Sequence, residues 1–166
     1  MAKIETPREL FVHKLGAAYT MEKTTLEMLE DLQQEAQDTE LRRNLAQHHR
    51  ETQQQIRNLE RAFDALGEDH DEQPCPTIEG LQKEGEQNLK DVEEDLNDKV
   101  ILSGVVETEA HEIAVYDGLI TTAEAMGEDD TVVLFQENLE QEQQALQKAR
   151  KAAKKLTRAK VTAFAR

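Results

Sequence analysis

Glu109 and Glu112 stand three residues apart where the hydrophobic pattern asks for aliphatic side chains. The stretch from Val100 to Met126, VILSGVVETEAHEIAVYDGLITTAEAM, repeats its core-facing positions every three or four residues. Those positions are Leu102, Val105, Glu109, Glu112, Tyr116, Leu119 and Ala123. That period is an amphipathic helix. An ionised carboxylate buried without a partner costs more than such a helix recovers, so something cationic should meet this pair.

The same anomaly recurs along the chain. Glu22 is central to the stripe Val12, Leu15, Tyr19, Glu22, Leu26, Leu29 and Gln33, and Glu142 is set into Phe135, Leu139, Glu142, Leu146, Ala149, Ala153 and Leu156. A further stripe, Leu41, Leu45, His48, Thr52, Ile56 (or Gln55), Leu59, Phe63 and Leu66, carries His48 with Glu51 at its flank. A dry group of five carboxylates would repel itself apart or take up protons. Two divalent or trivalent cations would neutralise it, and hard oxygen ligands plus an imidazole suit iron or manganese. In a glutamate-rich chain, one Glu near a stripe is ordinarily a flanking residue with its carboxylate in solvent. The case for metal rests on four helices repeating the feature. His13, His49, His70 and His111 have no such support, and Tyr19 and Tyr116 are read first as core.

The elements that must position these groups have clear punctuation. Thr6-Pro7-Arg8-Glu9 is a helix start, and the first helix runs to about Gln34. Asp38-Thr39-Glu40 opens a second helix that Gly67 stops after Leu66. A polar loop from Glu68 to Cys75 is closed by Pro74 and Pro76, after which Ile78, Leu81, Gly85, Leu89, Val92 and Leu96 predict a helical crossover. The long third helix follows, Gly127-Glu128-Asp129-Asp130 turns the chain, and a fourth helix starts near Thr131. This pattern is an all-α four-helix bundle of two hairpins joined by a long, partly helical crossover. Glu22 and Glu51 lie about equally far from the first turn, roughly 22 Å at ~1.5 Å per residue, and Glu112 and Glu142 flank the second turn similarly. All four helices thus bring a carboxylate to one layer.

Composition agrees with this fold and bounds the function. Ala, Leu, Glu, Gln and Lys dominate, with four Phe, two Tyr and no Trp among 166 residues, which predicts one helical domain spanning 1–166. Acidic residues outnumber basic ones 35 to 20, and the net charge of −15 opposes nucleic acid and anionic membranes. No apolar run has the length of a membrane span or a signal segment, and the lone Cys75 cannot form an internal disulfide. A cytoplasmic protein is expected. Residues 148–166 carry eight Lys or Arg and no acid. We read this basic tail as complementing a helix C-terminus and an acidic body rather than as a nucleic-acid site.

Several segments also match a known family. PRELFVHKL, AYTMEK around Glu22, HHRETQQQIRNLE around Glu51, Cys75 followed by IEGLQKEGE, then ETEAHEIAVYDGL and ENLEQEQQALQKA, resemble the YciE/YciF family of ferritin-like bacterial stress proteins. The resemblance runs from about Glu5 to Leu156. It implies an antiparallel bundle, a homodimer, a dinuclear metal site in the core and a link to bacterial stress responses. Glu22, His48, Glu51, Glu109, Glu112 and Glu142 match the family's carboxylate and histidine positions and become the expected metal ligands. The wider di-iron pattern of one Glu on two helices and Glu-x-x-His on the other two is kept only in part. Gln54 and Ala145 stand where histidines would, and the family's usual histidine after the first third-helix glutamate is replaced by Ala110, with His111 one further on.

Two functions follow as expectations. One is a protein with two iron or manganese ions that meets peroxide or dioxygen, or handles metal, with Glu112 as a mobile, catalytic ligand. Lacking a cysteine knuckle, it would need an external electron donor. The other is a dimeric helical stress or interaction protein whose metal, if any, is structural. The third helix has apolar surface beyond its stripe, at Ile101, Val106, Ala110, Ile113 and Ile120, which suits a second copy.

Overall fold

The computed structural model describes residues 3–164, with side chains described through Arg158. The end of the basic tail, including Lys160 and Arg166, lies outside the described side chains. The chain forms α1 (Pro7–Glu35), α2 (Thr39–Leu66), α3 (Pro76–Asp91), a 3-10 turn (Glu94–Leu96), α4 (Asn97–Met126) and α5 (Asp129–Phe164). There is no strand among the described residues, and none of their helices is long and apolar enough to cross a membrane.

Local chemistry sets the boundaries. The Thr6 hydroxyl accepts from the Glu9 amide at 3.1 Å while the Glu9 carboxylate accepts from the Thr6 amide at 3.0 Å, a reciprocal cap with Pro7 in the first turn. Asp38 caps α2 by accepting from the Leu41 amide at 2.8 Å. Gly67 and Gly127 end α2 and α4 in left-handed conformation, at φ 68° and 74°, which explains glycine at both positions. The crossover departs from its sequence period in one respect. Val92 and Leu96 continue the spacing of Ile78 to Leu89, yet α3 ends at Asp91 and Val92 is extended at φ −113° and ψ 159°. Hydrophobic spacing survives such a break because a short 3-10 turn also returns side chains to the same face.

Four helices make the bundle. Short connections pair α1 with α2 and α4 with α5, while α2 packs on α5 and α1 on α4. The Asp98 carboxylate accepts from the Gln37 and Asp38 amides at 2.8 and 3.0 Å, which places the start of α4 at the α1–α2 turn. At the other end Arg8 bonds the Leu66 carbonyl at 2.9 Å and pairs with Glu68 and Glu128. The crossover therefore returns along the bundle's length, and α3 lies against α1 and α4.

The apolar core divides in two. One cluster gathers Phe11, Leu15, Leu59, Phe63, Leu119 and Phe135, and the other Leu29, Leu41, Leu45, Ile101, Leu102 and Ala149. Between them lies a layer of buried polar side chains contributed by every bundle helix: Glu22 and Thr25, His48 and Gln55, Glu109 and Glu112, and Asn138 and Glu142. On α4, Ile101 and Ile120 are buried within the chain itself, leaving Val106 and Ile113 half-buried and Ala110 exposed.

Candidate metal centre

Helical spacing builds the centre from all four bundle helices. Glu109 and Glu112, three apart on α4, share one face. Glu22 on α1 and Glu142 on α5 face them, and all four carboxylates are at most 1 % exposed. Ligand-capable atoms of His48, Glu109, Glu112 and Glu142 lie within 4.8 Å of one another. His48 Nε2 is 2.9 Å from Glu109 Oε1 and 3.8 Å from Glu142 Oε2, and its Nδ1 is 3.6 Å from Glu51 Oε2. Of the six residues expected from the sequence, four thus form one compact group. Glu22 joins the same layer from α1. Glu51 sits at its edge, half-buried, with Oε1 accepting from Gln47 Nε2 at 2.7 Å.

One oxygen of each deeply buried outer carboxylate is held by a neutral donor. Thr25 Oγ1 donates to Glu112 Oε1 at 2.7 Å, Tyr116 donates its hydroxyl proton to Glu22 Oε1, and Gln55 Nε2 donates to Glu142 Oε1. The donors are braced in turn: Asn138 Nδ2 donates to the Tyr116 oxygen at 2.9 Å, and Asn58 Nδ2 to Asn138 Oδ1 at 2.8 Å. The second oxygens, Oε2 of Glu22, Glu109, Glu112 and Glu142, are buried with no hydrogen-bond partner from the protein, and neither ring nitrogen of His48 completes a directed hydrogen bond. Buried polar atoms are ordinarily satisfied, so this many orphans in one layer needs an explanation. The carboxylate oxygens are Lewis bases, as is one nitrogen of the neutral imidazole, and a hard divalent cation is the partner whose chemistry fits them.

The electrostatics carry the same tension. Burial raises Glu22 to about 7, against the opposing hydrogen bond from Tyr116 and the charge of His48. Glu112 is pushed well above the carboxylate range by burial and then by the charges of Glu22 and Glu109; Glu142 is pushed up by burial and then by Glu112. Burial works against the His48 imidazolium, yet the charge of Glu109 and the other nearby carboxylates outweigh it and hold His48 well above its usual value. Glu109 shows the converse, its burial outweighed by His48 so that it is lowered. Without a metal, the layer keeps its charge down by holding protons.

The charged members are legible in the sequence because they interrupt apolar stripes, whereas the neutral ones do not stand out. Thr25, Asn58 and Asn138 went unremarked, although Thr25 follows Glu22 by three residues and Asn138 precedes Glu142 by four, spacings that share a helix face. Tyr116, read first as core, is fully buried and also hydrogen-bonds Glu22, whereas the Tyr19 hydroxyl turns away to Glu60 at 3.0 Å. The other histidines stay outside: His49 meets Glu30, His70 meets Asp64, and His111 lies 4.0 Å from Cys75 Sγ. Gln54 bonds Asn58, and Ala145 lines a small cavity beside His48 and Glu51.

Fold and site together define a ferritin-like four-helix bundle with a carboxylate- and histidine-lined core. The chain belongs to the family described as a domain of unknown function, DUF892, whose model matches residues 6–162. It is 26% identical over 141 residues to Protein YciF of Escherichia coli strain K12, covering 84% of this chain and 85% of that protein. The crystal structure of the E. coli stress protein YciF superposes with a TM-score of 0.86 at 25% identity, covering 90% of this chain and 96% of that one. YcfI of Rhodopseudomonas palustris superposes with the same TM-score at 32% identity, covering 89% of this chain and 95% of that one.

Proposed function

We propose that this protein binds two iron or manganese ions in its central polar layer and acts in the stress response through peroxide, dioxygen or metal handling. The observation that carries the reading is the set of four buried carboxylate oxygens without a protein hydrogen-bond partner, converging with the His48 imidazole from four helices. The ligands would be Glu22, His48, Glu109, Glu112 and Glu142, with Glu51 closing the His48 side. When bound, such ions supply Lewis acidity and one-electron redox equivalents.

The chain's own residues do the rest. Tyr116, Gln55 and Thr25 fix one oxygen of three carboxylates and leave the other free to turn inward. Such outer hydrogen bonds orient ligands and set their basicity. The two apolar clusters exclude water from either end of the layer. Glu112 is held at Oε1 by Thr25 and its Oε2 has no protein partner, which suits a ligand that changes its coordination. The name of the E. coli relative supports a stress role, and two chains that pair through α4 would do so on the half-buried Val106 and Ile113.

The reading is tested by mixing the iron(II)-loaded protein anaerobically with hydrogen peroxide or dioxygen and following absorbance by stopped flow. A rise upon mixing, slowed in Glu112→Gln with metal content retained, is the expected result. A metal-loaded protein inert to both oxidants would instead favour a structural role, for which the specific support is that the layer already satisfies one oxygen of Glu22, Glu112 and Glu142 internally.

A further inference from the structure

We propose that the apolar cleft beneath α3 is a binding passage for small, uncharged, apolar molecules of the dioxygen class, leading from the bundle surface to the His48–Glu109 face. The inference rests on the metal reading above and names which co-reactant reaches the site by this path. The cleft, of about 80 Å³, lies between α1, α3 and α4, and its inner end is formed by His48, Thr108 and Glu109. One water needs only about 10–15 Å³ of such space, so the passage has room for more than one small molecule.

Its walls decide what enters. Met28, Leu29, Leu32, Leu89, Ile101 and Val105 make them predominantly aliphatic. The Thr25 hydroxyl is already committed to Glu112, and the buried Thr108 hydroxyl has no partner. Along the aliphatic stretch a water finds too few polar partners to stay; only the inner end, at Thr108, Glu109 and His48, offers them. At the mouth stand the exposed carboxylates Asp31, Glu35 and Glu86, and Glu109 waits at the inner end, so anions meet the same sign of charge twice. A hydrated cation would have to shed water along aliphatic walls. An uncharged apolar molecule meets neither obstacle.

Two glycines keep the passage open. Gly85 and Gly104 lie inside α3 and α4 and line the cleft from facing helices. Glycine weakens a helix interior, and it is usually tolerated where a neighbour approaches too closely for a side chain. Here no neighbouring atom lies within 4 Å of a Cβ built at either position. What the missing side chains leave is space.

A second, smaller cavity of about 40 Å³ reaches His48 and Glu109 from the opposite side, between α2, α4 and α5. Asn44, Glu51 and Lys148 line it, which gives charged or hydrogen-bonding species their own approach.

The test uses the full chain, metal-free, with labelled methyl groups under xenon or dioxygen pressure in NMR. Xenon should shift, and paramagnetic dioxygen should relax, the methyls of Met28, Leu29, Leu32 and Leu89. Both effects should vanish in Gly85→Leu and in Gly104→Leu, which fill the cleft from opposite helices while improving helix propensity. Unperturbed methyls in the far apolar cluster report that each variant is folded. Absence of the effects in the wild type, or their full persistence in either folded variant, overturns the proposal. Affinities for manganese(II) and for anaerobic iron(II) are measured on the same preparations. Gas effects that persist in a protein binding neither metal uphold the passage and overturn the metal reading alone.

Discussion

Glu22 is fully buried, with one oxygen held by Tyr116 and the other facing the cluster, and its pKa lies near 7 instead of 4.5. Between those two values the native metal-free protein holds a proton that the unfolded chain has released. Stability therefore falls as pH rises through that window, by about 3 kcal/mol for a single group shifted this far. Glu112 and Glu142, also raised, add to the same slope, and His48 adds to it above its ordinary value of 6.5. Glu109 and Glu51 are lowered and act the other way, their contribution present at neutral pH and lost as pH falls through their folded values. Denaturant melts of chelator-treated protein should show a higher midpoint at pH 5 than at pH 7.5. Metal competes with protons for the same atoms, so the loaded protein should show the opposite trend. A metal-free midpoint that rises across this interval would contradict the assigned burial of these carboxylates.

At the scale of elements, hydrophobic period and caps were legible because they are local. Thr6-Pro7, Asp38, Gly67 and Gly127 each mark a boundary through backbone chemistry within a few residues, and the helices end where those residues fall. The anomalous glutamates were legible for the same reason: each interrupts its own helix's stripe. What the sequence left open were contacts between helices, such as Tyr116 on α4 with Glu22 on α1, or Gln55 on α2 with Glu142 on α5. A polar residue on a stripe has several possible partners until the helix neighbours are known. The loop after α2 offers another example. Gln73 donates its amide to the Gly16 carbonyl at 3.2 Å, and a Cβ at residue 16 would meet the Asp71 carbonyl oxygen at 2.5 Å. Because that obstacle is backbone, Gly16→Ala should destabilise the fold by roughly 1–3 kcal/mol despite alanine's better helix propensity. A thermal midpoint equal to or above the wild type would show that the loop yields freely.

At the scale of the molecule, the bundle places a charged layer between two apolar clusters, and that choice weakens the fold unless something neutralises the layer. A ligand that binds only the native state returns the lost stability by mass action, about 2.7 kcal/mol at a hundredfold excess over its dissociation constant. The direct measurement is an equilibrium titration of chelator-treated protein with manganese(II) or anaerobic iron(II), read by calorimetry and by metal content after desalting. The account predicts saturable binding approaching two ions per chain, abolished or halved by Glu109→Gln and by Glu142→Gln. Glu124→Gln, exposed on the outer face of α4, should leave it unchanged. Wild-type protein that shows no saturable uptake, or uptake indifferent to Glu109 and Glu142, would contradict it.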